Sequence, residues 1–111
     1  MSKHVTADKG CVRYESDGVI ARIVFDRPAA RNAMTWDMYE QLADACRRVA
    51  AEPALRLVTL RGAGGEAFIA GTDIGQFSAF RSGDEGIDYE ARVERYVSAV
   101  ESIPVPTLAI I

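Results

Sequence analysis

Leu57-Val58-Thr59-Leu60-Arg61-Gly62-Ala63-Gly64-Gly65-Glu66-Ala67-Phe68-Ile69-Ala70-Gly71-Thr72-Asp73-Ile74 reads as a strand, a glycine-rich loop and the start of a helix. The run 57–60 is short and almost continuously apolar, as in a strand buried on both faces, and the glycines that follow are too many for regular structure. Thr72 and Asp73 then open an amphipathic segment. At a helix N-terminus the first amides have no partner within the helix and the macrodipole is positive, so an oxygen carrying negative charge is stabilised there. Gly71, having no Cβ, lets a ligand approach the backbone. The stretch is therefore a candidate anion or oxyanion site. The alternative is an ordinary N-cap, in which the Thr72 or Asp73 side chain accepts from a free amide and Gly71 only eases the bend.

Upstream, residues 11–15 and 19–25 are β-rich runs around Ser16-Asp17-Gly18, and Asp-Gly is a strong hairpin signal because both residues tolerate positive φ. In the second run only Arg22 interrupts two apolar faces, which predicts a strand covered on both sides. Residues 1–10 read as a flexible leader. Residues 26–33 have no period, and Pro28 excludes a helix interior or a central strand. Arg31 in this loop is either a solvated charge or a clamp for phosphate, which a guanidinium holds with two parallel hydrogen bonds. Thr35 caps a helix with Asp37 in its first turn and Arg47 and Arg48 in its last. Its stripe of Met38, Leu42, Ala45 and Val49 is core packing. Glu52-Pro53 ends it, and strand, helix, strand over 19–60 implies a right-handed crossover.

Downstream, 72–80 is expected to form a short helix with Ile74, Phe77 and Phe80 apolar. Residues 81–86 read as a loose polar loop, whose Asp84 and Glu85 are either exposed acids or catalytic carboxylates. Asp88 caps a second long helix with a stripe of Tyr89, Val93, Tyr96, Val97, Val100 and Ile103. Residues 107–111 read as another buried strand. A chain seldom finishes on such a strand, because its edge is left open, so the sequence is expected to be the front part of a larger domain.

The bulk properties narrow the function. The chain has 111 residues, 49% hydrophobic and 26% charged, the make-up of one ordinary globular unit. A net charge of −3 with scattered Lys and Arg argues against nucleic acid, no apolar run reaches bilayer length, and Met1-Ser2-Lys3-His4 leads into polar residues and not into the apolar stretch of a signal peptide. The expected compartment is the cytoplasm. Cys11 and Cys46 lack the spacing of a zinc or redox motif and are expected as free thiols. His4 is the only histidine, which excludes a Ser-His or Cys-His nucleophile built within this chain and argues against a metal site.

With these elements placed, the sequence resembles the crotonase superfamily of enoyl-CoA hydratases and isomerases. Four landmarks match in order: Asp26-Arg27-Pro28 with Arg31-Asn32-Ala33-Met34; Leu60-Arg61-Gly62-Ala63-Gly64; Phe68-Ile69-Ala70-Gly71-Thr72-Asp73-Ile74; and Pro106-Thr107-Leu108-Ala109-Ile110. The resemblance implies an α/β fold, the N-terminal portion of a crotonase-like ββα spiral core over 11–111. It also implies binding of an acyl-CoA thioester by trimers or hexamers, with coenzyme A present only as part of the substrate. By the same resemblance the backbone N–H of Thr72, following Gly71, is one oxyanion-hole donor. Ala70, Asp73 and Ile74 meet the adenine and pantetheine end, Arg31 contacts the CoA phosphates, and Ala33 lies in the cleft wall. The second oxyanion donor and the catalytic glutamates of hydratases follow beyond the strand that 107–111 resembles, so no general acid or base is assigned here. Hydration of a 2-enoyl-CoA is the leading reaction. The alternative is a non-catalytic fragment or interaction module that keeps half of the CoA site.

Overall fold

The computed structural model describes residues 9–65, 68, 69 and 83–111, and over 83–90 the backbone alone. Strands β1 (Cys11–Ser16) and β2 (Ile20–Asp26) form the antiparallel hairpin that Asp-Gly predicts. Gly18 takes φ +90°, and Asp17 Oδ1 closes the turn by accepting from the amides of Val19 at 2.9 Å and Ile20 at 2.8 Å. After one 3-10 turn at Pro28–Ala30, helix α1 (Trp36–Ala50) begins under the expected cap, the Thr35 hydroxyl oxygen accepting from Met38 N at 3.2 Å. Strand β3 (Leu57–Gly62) returns parallel to β2, and β4 (Thr107–Ile110) pairs parallel to β3 after helix α2 (Gly83–Glu101). The sheet order is β1-β2-β3-β4.

The core lies between α1 and one face of this sheet. Ala21, Ile23 and Phe25 of β2 and Val58 and Leu60 of β3 meet Met38, Leu42, Ala45 and Val49, with Tyr39 and Cys46 widening the helix stripe beyond the four expected residues. Each fully buried large apolar side chain contributes roughly 1.5–3 kcal/mol relative to its exposed state. Val24, on the opposite face of β2, is also fully buried but outside that cluster. The strand is therefore covered on both sides, as its composition requires. Helix α2 packs on α1: the Tyr96 ring stacks on Tyr39 with centroids 5.4 Å apart, and the Arg92 guanidinium sits 4.2 Å from the Trp36 ring. Cys11 and Cys46 are free. Among the described residues no helix is long and apolar enough to cross a membrane.

Three expectations need correction. Helix α2 starts at Gly83, not at Asp88, so residues 83–86 are helical rather than a loose loop. Glycine costs only about 1 kcal/mol in a helix, and Asp84 and Glu85 fall in the first turn, where the macrodipole favours acids. On α2 the half-buried apolar positions are Val93, Tyr96, Ala99 and Val100, with Ile103 half-buried just past its end, while Val97 is exposed; Tyr89 lies outside the described side chains. Finally, every residue of β4 is exposed, because it is the edge strand and nothing among the described residues covers it, however apolar its sequence. Of the leader expected over 1–10, residues 1–8 lie outside the described residues, while Lys9 is tied to the start of α1 through Thr35 Oγ1, which donates to its carbonyl at 2.6 Å. The short helix expected over 72–80 lies outside them as well.

Candidate functional site

The two parallel strands β2 and β3 end side by side, with Phe25 opposite Gly62. In open α/β sheets the carboxyl ends of strands are where ligands bind, because the loops leaving them converge there. Two loops leave this end, and they are joined to each other. The first turns back on itself: Ala30 N donates to Arg27 O at 3.0 Å, Arg31 N to Pro28 O at 3.0 Å and Ala33 N to Ala30 O at 3.0 Å. Arg31 and Asn32 take left-handed conformations, φ 52° and 63°, a region in which asparagine is enriched and arginine is not. The outcome is that Arg31 projects from the turn as an exposed side chain while Asn32 is fully buried. Ala33 is half-buried, and its carbonyl accepts from Arg27 Nη1 at 3.2 Å.

The second loop begins where Ala63 N donates to Phe25 O at 2.8 Å. Asn32 crosses to it. Its Oδ1 accepts from Arg27 N at 2.8 Å and its Nδ2 donates to Ala63 O at 3.0 Å. It is the only buried polar residue among those described, and sequence reading assigned it no role. The available signal was an asparagine in a proline-containing turn, the residue type that both tolerates positive φ and hydrogen-bonds local backbone.

Beside these loops lies an apolar cavity of about 440 Å³, within the usual size range of small-molecule pockets. Phe25, Met34, Leu42, Leu60, Phe68 and Ile69 form its walls, and Glu101 and Thr107 supply its polar rim. Phe68 packs edge-on against Phe25 with centroids 5.6 Å apart, which anchors the second loop to the core. Phe68 and Ile69 directly precede Ala70, Gly71, Thr72, Asp73 and Ile74 in the sequence, and those five candidate residues lie outside the described residues. Of the expected site residues, then, the structure places Arg31 and Ala33 on one turn at the carboxyl end of β2. Chemically, this end combines an apolar chamber with an exposed guanidinium. No cluster of three metal-ligating side chains occurs among the described residues.

A second, polar concavity of about 400 Å³ sits at the opposite end of the sheet. Its groups satisfy one another: Tyr14 OH donates to Glu52 Oε2, Ser16 Oγ donates to Glu52 Oε1 at 2.8 Å, and the Arg48 guanidinium lies 4.5 Å from the Tyr14 ring centroid. Hydrogen bonds from Tyr14 and Ser16 hold the Glu52 carboxyl below its ordinary value. Burial, then the bond to Glu52, raises the Tyr14 phenol.

Comparison with known proteins agrees with this geometry. The model of the enoyl-CoA hydratase/isomerase family matches residues 20–111. A human mitochondrial 3-hydroxyisobutyryl-CoA hydrolase is 34% identical across the whole chain, which spans 29% of that protein. A crotonyl-CoA hydratase from Syntrophomonas wolfei is 30% identical over 86% of the chain and 36% of its own length. Among solved structures, an enoyl-CoA hydratase/carnithine racemase from Magnetospirillum magneticum superposes with a TM-score of 0.82 at 30% identity, covering 88% of this chain and 37% of that one. The chain thus spans about a third of the length of these relatives. Strand order, paired loops and sequence landmarks converge, and this chain belongs to the enoyl-CoA hydratase/isomerase family, with its crotonase fold.

Proposed function

We propose that this chain binds an acyl-CoA thioester and stabilises negative charge on the thioester oxygen through the backbone N–H of Thr72. The observation that carries the reading is the apolar cavity whose wall ends in Phe68 and Ile69, the two residues that lead into Ala70-Gly71-Thr72. Acyl carbons lodge in the cavity, Ala33 forms part of the cleft wall, and Ala70, Asp73 and Ile74 face the adenine and pantetheine end. Exposed Arg31 reaches the CoA phosphates. When water adds to a conjugated thioester, charge collects on the carbonyl oxygen, and each preorganised donor aimed at it is worth about 3 kcal/mol. Thr72 supplies one donor. The reaction is hydration of a 2-enoyl-CoA, carried out in the cytoplasm by a trimer or hexamer.

A second reading, thioester hydrolysis, is favoured by the 34% identity of this chain, over its whole length, to part of the 3-hydroxyisobutyryl-CoA hydrolase. Both reactions place charge on the same oxygen, so product analysis separates them. Calorimetric titration with crotonyl-CoA tests the shared part. Saturable binding supports it; no heat at millimolar ligand overturns it, and binding without turnover identifies a non-catalytic module. Arg31→Ala is expected to weaken crotonyl-CoA about tenfold, the worth of one charge-assisted hydrogen bond, and to leave crotonyl-pantetheine within about twofold of the parent. Equal losses for the two ligands remove Arg31 from the phosphate role.

A further inference from the structure

We infer that Asn32 is a positioning residue that fixes the distance between the two halves of the binding cleft; the inference rests on the acyl-CoA reading. Arg31 and Ala33 flank Asn32 in the first loop, and Phe68 and Ile69 belong to the second. The Asn32 carboxamide is a hydrogen-bonded bridge between these loops. Its oxygen holds Arg27 N–H within the first loop, its nitrogen holds the Ala63 carbonyl of the second, and its own N–H donates to Arg27 O at 2.8 Å. Because the side chain is fully buried, water does not replace a bond that is lost, and a buried donor or acceptor left unpaired is costly. An apolar residue of similar size would satisfy neither loop. A serine or threonine would be too short to span them.

The bridge matters for a ligand that must touch both loops at once. A molecule held at two points gains affinity only while the two points keep the spacing the molecule requires. A fragment held at one point is indifferent to that spacing. Coenzyme A thioesters are of the first kind, with phosphates at one end and the thioester at the other. The position therefore acts on the spanning ligand selectively, which a residue that only stabilises the fold would not do.

Two substitutions separate the bonds. Asn32→Asp keeps the acceptor for Arg27 N–H and replaces the donor to Ala63 O with a second oxygen. Asn32→Gly keeps the left-handed backbone without strain and removes the side-chain bonds to Arg27 N–H and Ala63 O. Calorimetry on the full chain with crotonyl-CoA and crotonyl-pantetheine, which lacks the phosphates assigned to Arg31, reads the outcome. Each variant is expected to lose about tenfold in crotonyl-CoA affinity, while crotonyl-pantetheine stays within about twofold. Parallel losses for both ligands, tracking the fraction folded by circular dichroism, overturn the positioning role and leave the acyl-CoA reading standing. If the parent chain binds neither ligand, that reading fails and the ligand-spacing role fails with it. Hydrogen exchange then reads the bridge itself. The Ala63 amide is expected to exchange at least about tenfold faster in Asn32→Asp, with α1 amides unchanged, and unchanged exchange at Ala63 overturns the coupling of the loops.

Discussion

Gly18 and Gly64 stand at the same backbone angle, φ +90°, at opposite ends of the parallel pair β2 and β3, yet their surroundings differ. A Cβ added at Gly18 would meet nothing within 4 Å, whereas one at Gly64 would lie 2.9 Å from Pro28 Cβ. The hairpin end is a wet turn closed by the exposed side chains of Asp17 and Ser16, with the half-buried Tyr14–Glu52 pair beside it. At the other end, one loop leans on the other and a buried asparagine joins them. The first end demands only a backbone conformation. The second demands that conformation and a fitted neighbour, which is what a cleft of fixed shape requires.

Packing should show the contrast most strongly. Phe25, 1% exposed and edge-on to Phe68, anchors the site end, and Phe25→Ala is expected to cost about 3–5 kcal/mol by urea denaturation. Val19→Ala at the half-exposed hairpin position should stay within about 0.5 kcal/mol. If Phe25→Ala costs less than about 1 kcal/mol, the site end is not the rigid one.

The glycines test the same contrast with chemistry held constant. Gly18→Ala carries only the left-handed penalty, about 1–2 kcal/mol. Gly64→Ala adds the collision with Pro28 and should cost about 2–4 kcal/mol. A double variant with Pro28→Gly should recover the difference, and failure to recover it would assign the cost to backbone angle alone.

The elements at both ends were legible in the sequence wherever the signal was local. Asp17-Gly18 specified a turn, Thr35 a cap, and the 57–60 run a strand. Tyr39 and Cys46 escaped the helix stripe because their burial depends on α2 and the sheet, not on their own spacing. The exposure of β4 was illegible for a related reason: Leu108 and Ile110 are apolar, but burial is conferred by neighbours. Gly83 and Gly86 masked a helix start that the following acids favour. Of the site, the landmark around Arg31 and Ala33 was readable. Asn32 was passed over, because a polar residue in a polar-looking loop gives no sign that the loop will be packed against another. Thr72, the centre of the reading, lies outside the described residues.

The smallest effect should come from the wet end, through pH. The Glu52 carboxyl is held below 4.5 by the hydroxyls of Tyr14 and Ser16, so its contribution to stability is complete above 4.5 and is lost as pH falls through the lowered folded value. The Tyr14 phenol is raised above 10.0, first by burial and then by Glu52. Its contribution is complete below 10.0 and lost as pH rises through the raised value. Tyr14→Phe removes the alkaline loss outright and weakens the acid one, leaving Ser16 as the remaining donor to Glu52. Thermal melts between pH 3 and pH 11 should show a shift of no more than a few degrees at neutral pH, since polar pairs still in reach of solvent contribute little, together with a flatter alkaline limb. An unchanged alkaline limb would mean that Tyr14 is not the group titrating there. A shift at neutral pH as large as that of Phe25→Ala would mean that the hairpin end is as tightly packed as the site end, and the distinction between the two glycines would lose its physical basis.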